Sequence, residues 1–326
     1  MSNKKHFQIS QQAAEKLAVR FGTPLLVLSL DEIKKNYKVL KKYMPRVKIH
    51  YAIKANPHPE ILRVMADMGS CFDVASDGEI RTMHDMGVDG GRLIYANPVK
   101  TGVGLEACRS CGVRKMTFDS ASEIDKIKKQ CPDATVLLRL RIDNSSAHVD
   151  LNKKFGAARE NALALMQQAK EAGLDMAGIA FHVGSQTVSA DPYLHALDIA
   201  RELFEEAEAA GLKLRILDIG GGFPIPEPKV KFNLPEILRQ INARLDEDFA
   251  DAEIWAEPGR YICGTAVNLI TSHGTSSMKA CTEPSPVYSL TNGILSSSAS
   301  VRVMKRWQRR SPDRAVIPWI LCSADA

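Results

Sequence analysis

The sequence lacks any long hydrophobic segment. No apolar run approaches the roughly 18 residues that a helix needs to cross a bilayer, and no apolar stretch of the kind found in a secretion signal follows the basic residues at the start. The seven cysteines are an odd number without regular spacing, which disfavours a disulfide framework and favours reduced thiols. We therefore predict a cytoplasmic protein with no membrane partner.

The chain also has little excess charge and no regular metal motif. The formal net charge is +5, and from His273 onward seven basic side chains accompany three acidic ones, so the preceding residues are nearly neutral. Such a body gives no case for nucleic-acid binding. The pair Cys108 and Cys111 is a single Cys-x-x-Cys in a helical pattern. Without a second pair it indicates two thiols on one helix face, and we predict no metal site.

What the chain has is an alternation of strand-like runs and amphipathic helices. Eight β-branched or aromatic runs occupy residues 47–54, 71–76, 92–97, 115–120, 135–142, 176–183, 215–222 and 252–257. Eight alternations are the number in a (β/α)₈ TIM barrel. The alternative, an open doubly wound sheet, usually has fewer strands, and no dinucleotide glycine fingerprint follows the first run. We predict an α/β fold in which residues 1–30 lead into a barrel at 31–272, followed by an incomplete C-terminal β domain at 273–326.

In a TIM barrel the functional groups lie at the C-terminal ends of the strands. In this chain those ends carry an amine, carboxylates, guanidinium groups, an imidazole and a glycine run: Lys54, Asp73, Asn97, Asp119, Arg139, His182 with Ser185, Gly220 to Gly222, and Glu257 with Arg260. A purely structural barrel also has polar loops. This chemical mixture nevertheless favours a site at that rim.

Lys54 is the candidate nucleophile. An amine at the end of a strand, partly shielded from water, can lose its proton and form a Schiff base with an aldehyde cofactor. The alternative is a surface lysine that closes a strand, which is the commoner case for a lysine taken alone. The other candidates of the rim change that balance.

The glycine run and Glu257 suit the two ends of a flat phosphorylated ring. Backbone N–H groups of Gly220, Gly221 and Gly222 can turn toward an anion, with Arg260 as a second contact, although a bare glycine run is more often a tight turn. Glu257 can pair with a protonated ring nitrogen or form a surface ion pair with Arg260. His182 can stack on the ring or be an ordinary core histidine.

Five motifs occur together and in order: Tyr-Ala-Ile-Lys-Ala-Asn-Pro at 51–57, Phe-Asp-Val-Ala-Ser at 72–76, His-Val-Gly-Ser-Gln at 182–186, Asp-Ile-Gly-Gly-Gly-Phe-Pro at 218–224 and Glu-Pro-Gly-Arg at 257–260. They resemble the fold type III (alanine-racemase-like) decarboxylases that use pyridoxal 5′-phosphate (PLP) on basic amino acids. The segments at 95–98 and 149–156 resemble the bacterial lysine/ornithine decarboxylases in particular. The resemblance runs from about residue 7 to residue 272.

The resemblance implies a role for each matching residue. Lys54 would hold PLP as a Schiff base and His182 would stack on the ring. The phosphate would bind Ser185, Gly222 and Arg260, with Gly220 and Gly221 in the same loop. Glu257 would hold the ring-nitrogen proton, and the pocket would be lined by Asp73, Glu79 and Arg139. The implied reaction is decarboxylation of L-lysine or L-ornithine to cadaverine or putrescine.

After Ser272 the resemblance ends. Relatives continue with a β-barrel domain that supplies substrate-reading and protonating groups across a dimer interface. Here Leu295 lies where a tyrosine is expected, and Cys322, the candidate for the protonating cysteine, lacks the aspartate that should follow it. We therefore interpret 273–326 as a truncated or out-of-frame remnant of that domain. This leaves two alternatives: an active decarboxylase, or a catalytically silent homologue that still binds PLP. It also leaves the implied homodimer open.

Overall fold

The structure, a computed structural model, describes residues 6–142, 155–228, 230–271, 300–303 and 319–323. It divides into two compact units. One comprises residues 38–224 and 229–261, and the other comprises residues 1–37, 225–228 and 262–326.

The strands of the described parts are β1 (Leu25–Ser29), β2 (Lys48–Ala52), β3 (Cys71–Val74), β4 (Leu93–Tyr95), β5 (Lys115–Phe118), β6 (Thr135–Arg139), β7 (Asp175–Ala180), β8 (Ile216–Asp218), β9 (Glu253–Ala256), β10 (Val267–Ile270), β11 (Ser300–Val303) and β12 (Trp319–Ser323). The α-helices are α1 (Gln11–Phe21), α2 (Leu30–Tyr43), α3 (Pro59–Asp67), α4 (Asp77–Asp85), α5 (Gly102–Ser110), α6 (Ala121–Gln130), α7 (Arg159–Glu171), α8 (Asp191–Ala209), α9 (Leu234–Asp248) and α10 (Arg260–Cys263).

Strands β2 to β9 form a closed parallel barrel in sequence order, and β9 pairs with β2. Each predicted run overlaps one of these strands, so the (β/α)₈ barrel is confirmed. The observed strands are shorter than the runs, because the last residues of each run turn into the loop that follows. Those turning residues include Lys54, His182, the Gly220–Gly222 loop and Glu257.

The interior of the barrel is filled by side chains rather than open. One cluster of buried residues inside it comprises Ile94, Ala96, Leu137, Ala177, Ala180, Ile216 and Trp255. The Trp255 ring lies 4.7 Å from the fully buried ring of His50, centroid to centroid. Burial, together with the charge of Lys115, lowers the pKa of His50 to about 3. His50 is therefore a neutral core residue. The functional groups are expected at the rim where the strands end.

The helices around the barrel begin at local sequence signals. In α4, Ser76 Oγ accepts a hydrogen bond from Glu79 N at 3.3 Å, and Glu79 Oε2 accepts one from Ala75 N at 2.7 Å. This reciprocal pair resembles a capping box. It fixes where the helix begins and therefore shapes the loop that follows β3.

The other unit contains a four-stranded sheet in the order β10-β1-β12-β11. Strand β1 pairs antiparallel with β10 and parallel with β12. Residues 1–30, predicted as a segment that leads into the barrel, contain α1 and β1. Strands β11 and β12 were missed, since their short runs show little alternation and depend on pairing with each other and with β1. Most of residues 273–326 lies outside the described part, so the remnant hypothesis stays a prediction.

Among the described residues, no helix combines the length and the apolar character that crossing a bilayer requires.

Candidate active site

Lys54 lies just beyond β2, on a single 3₁₀ turn formed by Ile53–Ala55. A buried hydrogen bond of 3.0 Å from the Tyr51 hydroxyl to Asn56 O holds this turn. The Lys54 side chain is 61% exposed, and its Nζ donates to Asp73 Oδ2 at 2.9 Å. Asp73, on β3, is only 1% exposed. The amine therefore faces the open rim while its counter-charge is buried behind it.

The sequence indicates that the Lys54 amine can lose its proton, and this ion pair opposes that loss. The negative charge of Asp73 raises the pKa of Lys54 above its ordinary value, with a further contribution from Glu257, and this outweighs the opposing effect of desolvation. The amine is therefore protonated in the cofactor-free chain rather than ready to act as a nucleophile. An aldehyde cofactor would therefore react with this amine only once the amine had lost its proton.

Glu257 and Asp218 form a buried carboxyl pair beside this amine. Glu257 follows β9 and is 6% exposed, while Asp218 ends β8 and is fully buried. Burial raises the pKa of Asp218 to about 6. Burial, with Asp218 and Asp73 as charged neighbours, raises the pKa of Glu257 well above its usual range. The pair therefore resists carrying two negative charges.

His182 lies two residues beyond β7, and its ring is partly buried. Its Nδ1 accepts a hydrogen bond of 2.9 Å from Gly184 N, which requires that this nitrogen be unprotonated. Burial, together with the charges of Arg139 and Lys54, lowers the pKa of His182 to about 3. His182 is thus a neutral ring with its other nitrogen protonated, suited to stacking rather than to charge pairing.

The glycine run after β8 is held too tightly for any larger side chain. Gly220 and Gly222 have positive φ angles of 66° and 111°. A Cβ atom on Gly221 would lie 2.7 Å from Glu257 O, and one on Gly222 would lie 2.5 Å from Gly184 O. The loop therefore needs glycine for both conformation and space, which leaves its backbone open to close approach by an anion.

Tyr193, on α8, holds this loop through a hydrogen bond and a ring contact. The side chain is fully buried, its hydroxyl donates to Gly221 O at 2.9 Å, and its ring stacks on Phe223 at 5.5 Å between centroids. Burial raises the pKa of this hydroxyl, so it remains a donor throughout the physiological range. Sequence reasoning missed Tyr193, because nothing in the start of α8 predicts that one of its side chains reaches a loop 28 positions away.

The remaining predicted residues lie around the same rim. Arg139 ends β6, and its charge acts on Lys54, His182 and Glu257. Ser185 lies in the loop after β7, and Arg260 begins α10; both are partly buried.

Four other candidate residues have further contacts or lie elsewhere. Glu79 is occupied as the cap of α4. Asn97 accepts a hydrogen bond from Val99 N in its own loop, and Asp119 accepts one from Gly156 N in the segment between β6 and α7. The backbone of Cys322 lies in β12, in the unit that holds the four-stranded sheet. Its side chain is outside the description, so its catalytic role stays a prediction.

A family model described as the pyridoxal binding domain of pyridoxal-dependent decarboxylase matches residues 30–264. Lysine/ornithine decarboxylase of Selenomonas ruminantium is 51% identical over 269 residues, which are 82% of this chain and 68% of that protein. Antizyme inhibitor 2 of Xenopus laevis is 39% identical over 73% of this chain and 53% of its own length. The chain thus spans about two thirds of the bacterial relative and about half of the frog one.

Solved structures give the same result. Lysine decarboxylase from Selenomonas ruminantium superposes with a TM-score of 0.79 at 51% identity, over 81% of this chain and 70% of that one. A structure of SrLDC in complex with PLP and cadaverine gives a TM-score of 0.77 at 49% identity, over 81% of this chain and 68% of that one.

Proposed function

The chain belongs to the pyridoxal-dependent decarboxylases, and from this premise we propose that it binds PLP and removes the carboxyl group of L-lysine or L-ornithine. The products would be cadaverine or putrescine, which places the reaction in polyamine synthesis. The bound PLP supplies an electron-withdrawing ring that takes up negative charge as CO₂ leaves. The protein's part is to hold that ring and to control protons around it.

The residues of the rim fit this cofactor. The Gly220–Gly222 loop is packed so tightly that a Cβ on any of the three would meet protein atoms within 3 Å, while its backbone remains available to a phosphate. Glu257 Oε1 is buried without a hydrogen-bond partner among the described residues, which suits a ring N–H. Lys54 presents an exposed amine.

We assign each residue one role. Lys54 would bond the aldehyde carbon, His182 would stack on the ring, and Glu257 would pair with the ring nitrogen. Ser185, Gly220, Gly221, Gly222 and Arg260 bind the phosphate. Asp73, Glu79 and Arg139 line the pocket, and Asp73 keeps the Lys54 amine charged until the aldehyde arrives. Cys322 remains our candidate for the group that protonates the product.

The observation that most strongly supports this proposal is electrostatic. Lys54, His182 and Glu257 follow three different strands, yet the charge of Lys54 acts on both His182 and Glu257. Such interactions require these groups to share one small region of the rim. A single flat ring can contact all three only in that case.

A second candidate function is binding without catalysis. One relative is named as an inhibitor rather than as an enzyme, and Cys322 lacks the following aspartate that the resemblance implies. In this alternative the chain holds PLP but does not turn over an amino acid.

One experiment separates the two. Purified protein is mixed with PLP, its near-ultraviolet and visible absorbance is recorded, and release of CO₂ from L-lysine and L-ornithine is measured. We expect a Schiff-base absorbance and CO₂ release, both lost in Lys54→Ala and both kept in Lys38→Ala, which removes an exposed lysine of α2. Absorbance without CO₂ selects the binding function, and no absorbance from folded protein refutes both.

Two further properties remain proposals. The cytoplasmic location is a proposal that the cysteine pattern supports. The homodimer of the family is to be tested by sedimentation, with a monomer as the result that would contradict it.

A further inference from the structure

Two buried carboxyl groups are joined through the backbone of Gly220. Gly220 N donates to Asp218 Oδ1 at 2.8 Å, and Gly220 O accepts from Glu257 N at 2.8 Å. The ends of β8 and β9 are thereby tied together. Asp218 is fully buried and Glu257 is 6% exposed, so no bulk water separates the two side chains.

Each carboxyl group has one oxygen that lacks a donor. Asp218 Oδ2 and Glu257 Oε1 are both buried, and no N–H or O–H group of the described residues donates to either. A buried carboxylate oxygen without a donor is costly. A proton held between the two groups removes that cost, because one carboxyl then donates to the other.

The surrounding charges favour a single proton on the pair. Asp73 on β3 adds a third carboxylate to the neighbourhood, while Lys54 and Arg139 supply the two positive charges that act on Glu257. With one proton bound, the three carboxyl groups carry two negative charges and match these two cations. Both Asp218 and Glu257 also hold their protons more strongly than exposed carboxyl groups do, chiefly because they are buried.

We propose that Asp218 is a positioning residue which keeps one proton on Glu257 while the site is empty, and that Glu257 gives up this proton when a pyridine-type ring nitrogen binds beside it. This inference rests on the PLP binding of the proposed function, but not on decarboxylation. The O–H bond of Glu257 breaks and leaves a carboxylate. A ring that arrives with a bare nitrogen takes the proton, and a ring that arrives already protonated sends it to solvent.

The charges of the site are therefore balanced both without and with the cofactor. Without the cofactor, the proton prevents three carboxylates from being buried side by side. With the cofactor, the positive ring nitrogen replaces the proton as the partner of Glu257. Asp218 need not touch the cofactor to have this effect, since it acts through Glu257.

The test begins with the cofactor-free protein. Infrared difference spectra of wild type against Glu257→Gln, recorded over a pH series, report the C=O stretch of a protonated Glu257. We expect this band at neutral pH in wild type. In Asp218→Asn the amide oxygen still accepts from Gly220 N, but the negative charge is gone, so the pH at which the band disappears falls by about one unit or more. Asp251→Asn, at an exposed position, leaves it unchanged.

The second measurement uses PLP itself. Calorimetric titrations in buffers of different ionisation enthalpy, at a pH between the two infrared midpoints, count the protons released per PLP bound. Wild type is expected to release up to about one more proton than Asp218→Asn.

Absence of the band at neutral pH in wild type, or an unchanged midpoint in Asp218→Asn, overturns the proposal even if PLP binds and CO₂ is released. If Asp218→Asn does not fold, the wild-type band alone decides.

Discussion

The hydrogen bond from Tyr193 to the glycine loop gives the sharpest stability prediction. Tyr193→Phe removes one oxygen atom and keeps the ring that stacks on Phe223. The hydroxyl that donated to Gly221 O at 2.9 Å is then missing. Because Tyr193 is fully buried, water cannot easily take its place.

The magnitude follows from the burial. A buried carbonyl that loses its donor costs about 1–3 kcal/mol. For a domain of this size, each kcal/mol lowers Tm by about 2–4 °C. We therefore expect Tyr193→Phe to melt about 2–12 °C below wild type. The glycine loop also loses the hydrogen bond that holds it in place. We therefore expect PLP affinity to fall about tenfold, which corresponds to about 1.4 kcal/mol.

The assay compares two matched variants. Tyr43→Phe removes the same atom from a tyrosine that is only partly buried and whose ring lies under Arg239. Thermal unfolding and PLP titration of both variants are measured against wild type. The reasoning is refuted if Tyr193→Phe lowers Tm no more than Tyr43→Phe does, or if it lowers Tm while PLP affinity is unchanged from wild type.

Three other substitutions test separate parts of the barrel. The pKa of His50 is lowered to about 3 in the folded chain. Below about pH 6.5 the unfolded chain therefore binds a proton at His50 that the folded chain does not bind. As the pH falls further, the free energy of unfolding decreases by up to about 1.4 kcal/mol per pH unit. His50→Phe should flatten that loss in urea unfolding between pH 7 and pH 5, and a slope equal to that of wild type would contradict it. Gly222→Ala places a Cβ 2.5 Å from a carbonyl oxygen at φ +111°, so it should cost about 1–3 kcal/mol and weaken PLP binding. Gly211→Ala, at φ +74° in open space, is the control for φ alone, and equal losses in the two would refute the close-contact argument. Asp73→Asn removes the charge that holds the pKa of Lys54 up, so reductive methylation of Lys54, followed by peptide mass spectrometry, should become faster at neutral pH. An unchanged pH profile would show that Asp73 does not set it.

The electrostatics of the rim bear on the choice between catalysis and binding. A protonated Lys54 beside Asp73 needs no second domain, because both side chains belong to the barrel unit. The buried carboxyl pair belongs to the same unit. Cofactor capture can therefore be tested on the barrel residues alone, whereas the role that we propose for Cys322 concerns a residue of the other unit.

Local pattern predicted the elements of the barrel well. Every barrel strand except β7 lies within its predicted run, and β7 begins one residue before its run. Apolar spacing and β-branched runs are properties of neighbouring residues, so they can be read along the chain. The chemical types at the strand ends were also evident, because the fold class says that those positions meet.

The tertiary structure alone decided the state of the groups that meet there. The sequence motifs contained both Lys54 and Asp73, but only the pairing of β2 with β3 brings Nζ within 2.9 Å of a buried carboxylate and raises the pKa of the amine. The sequence motifs gave Asp218 no role, and only the fold buries it beside Glu257. Burial and charge pairing depend on residues that are distant along the chain. The sequence therefore determined which groups gather at the rim, and the fold determined which of them carry protons.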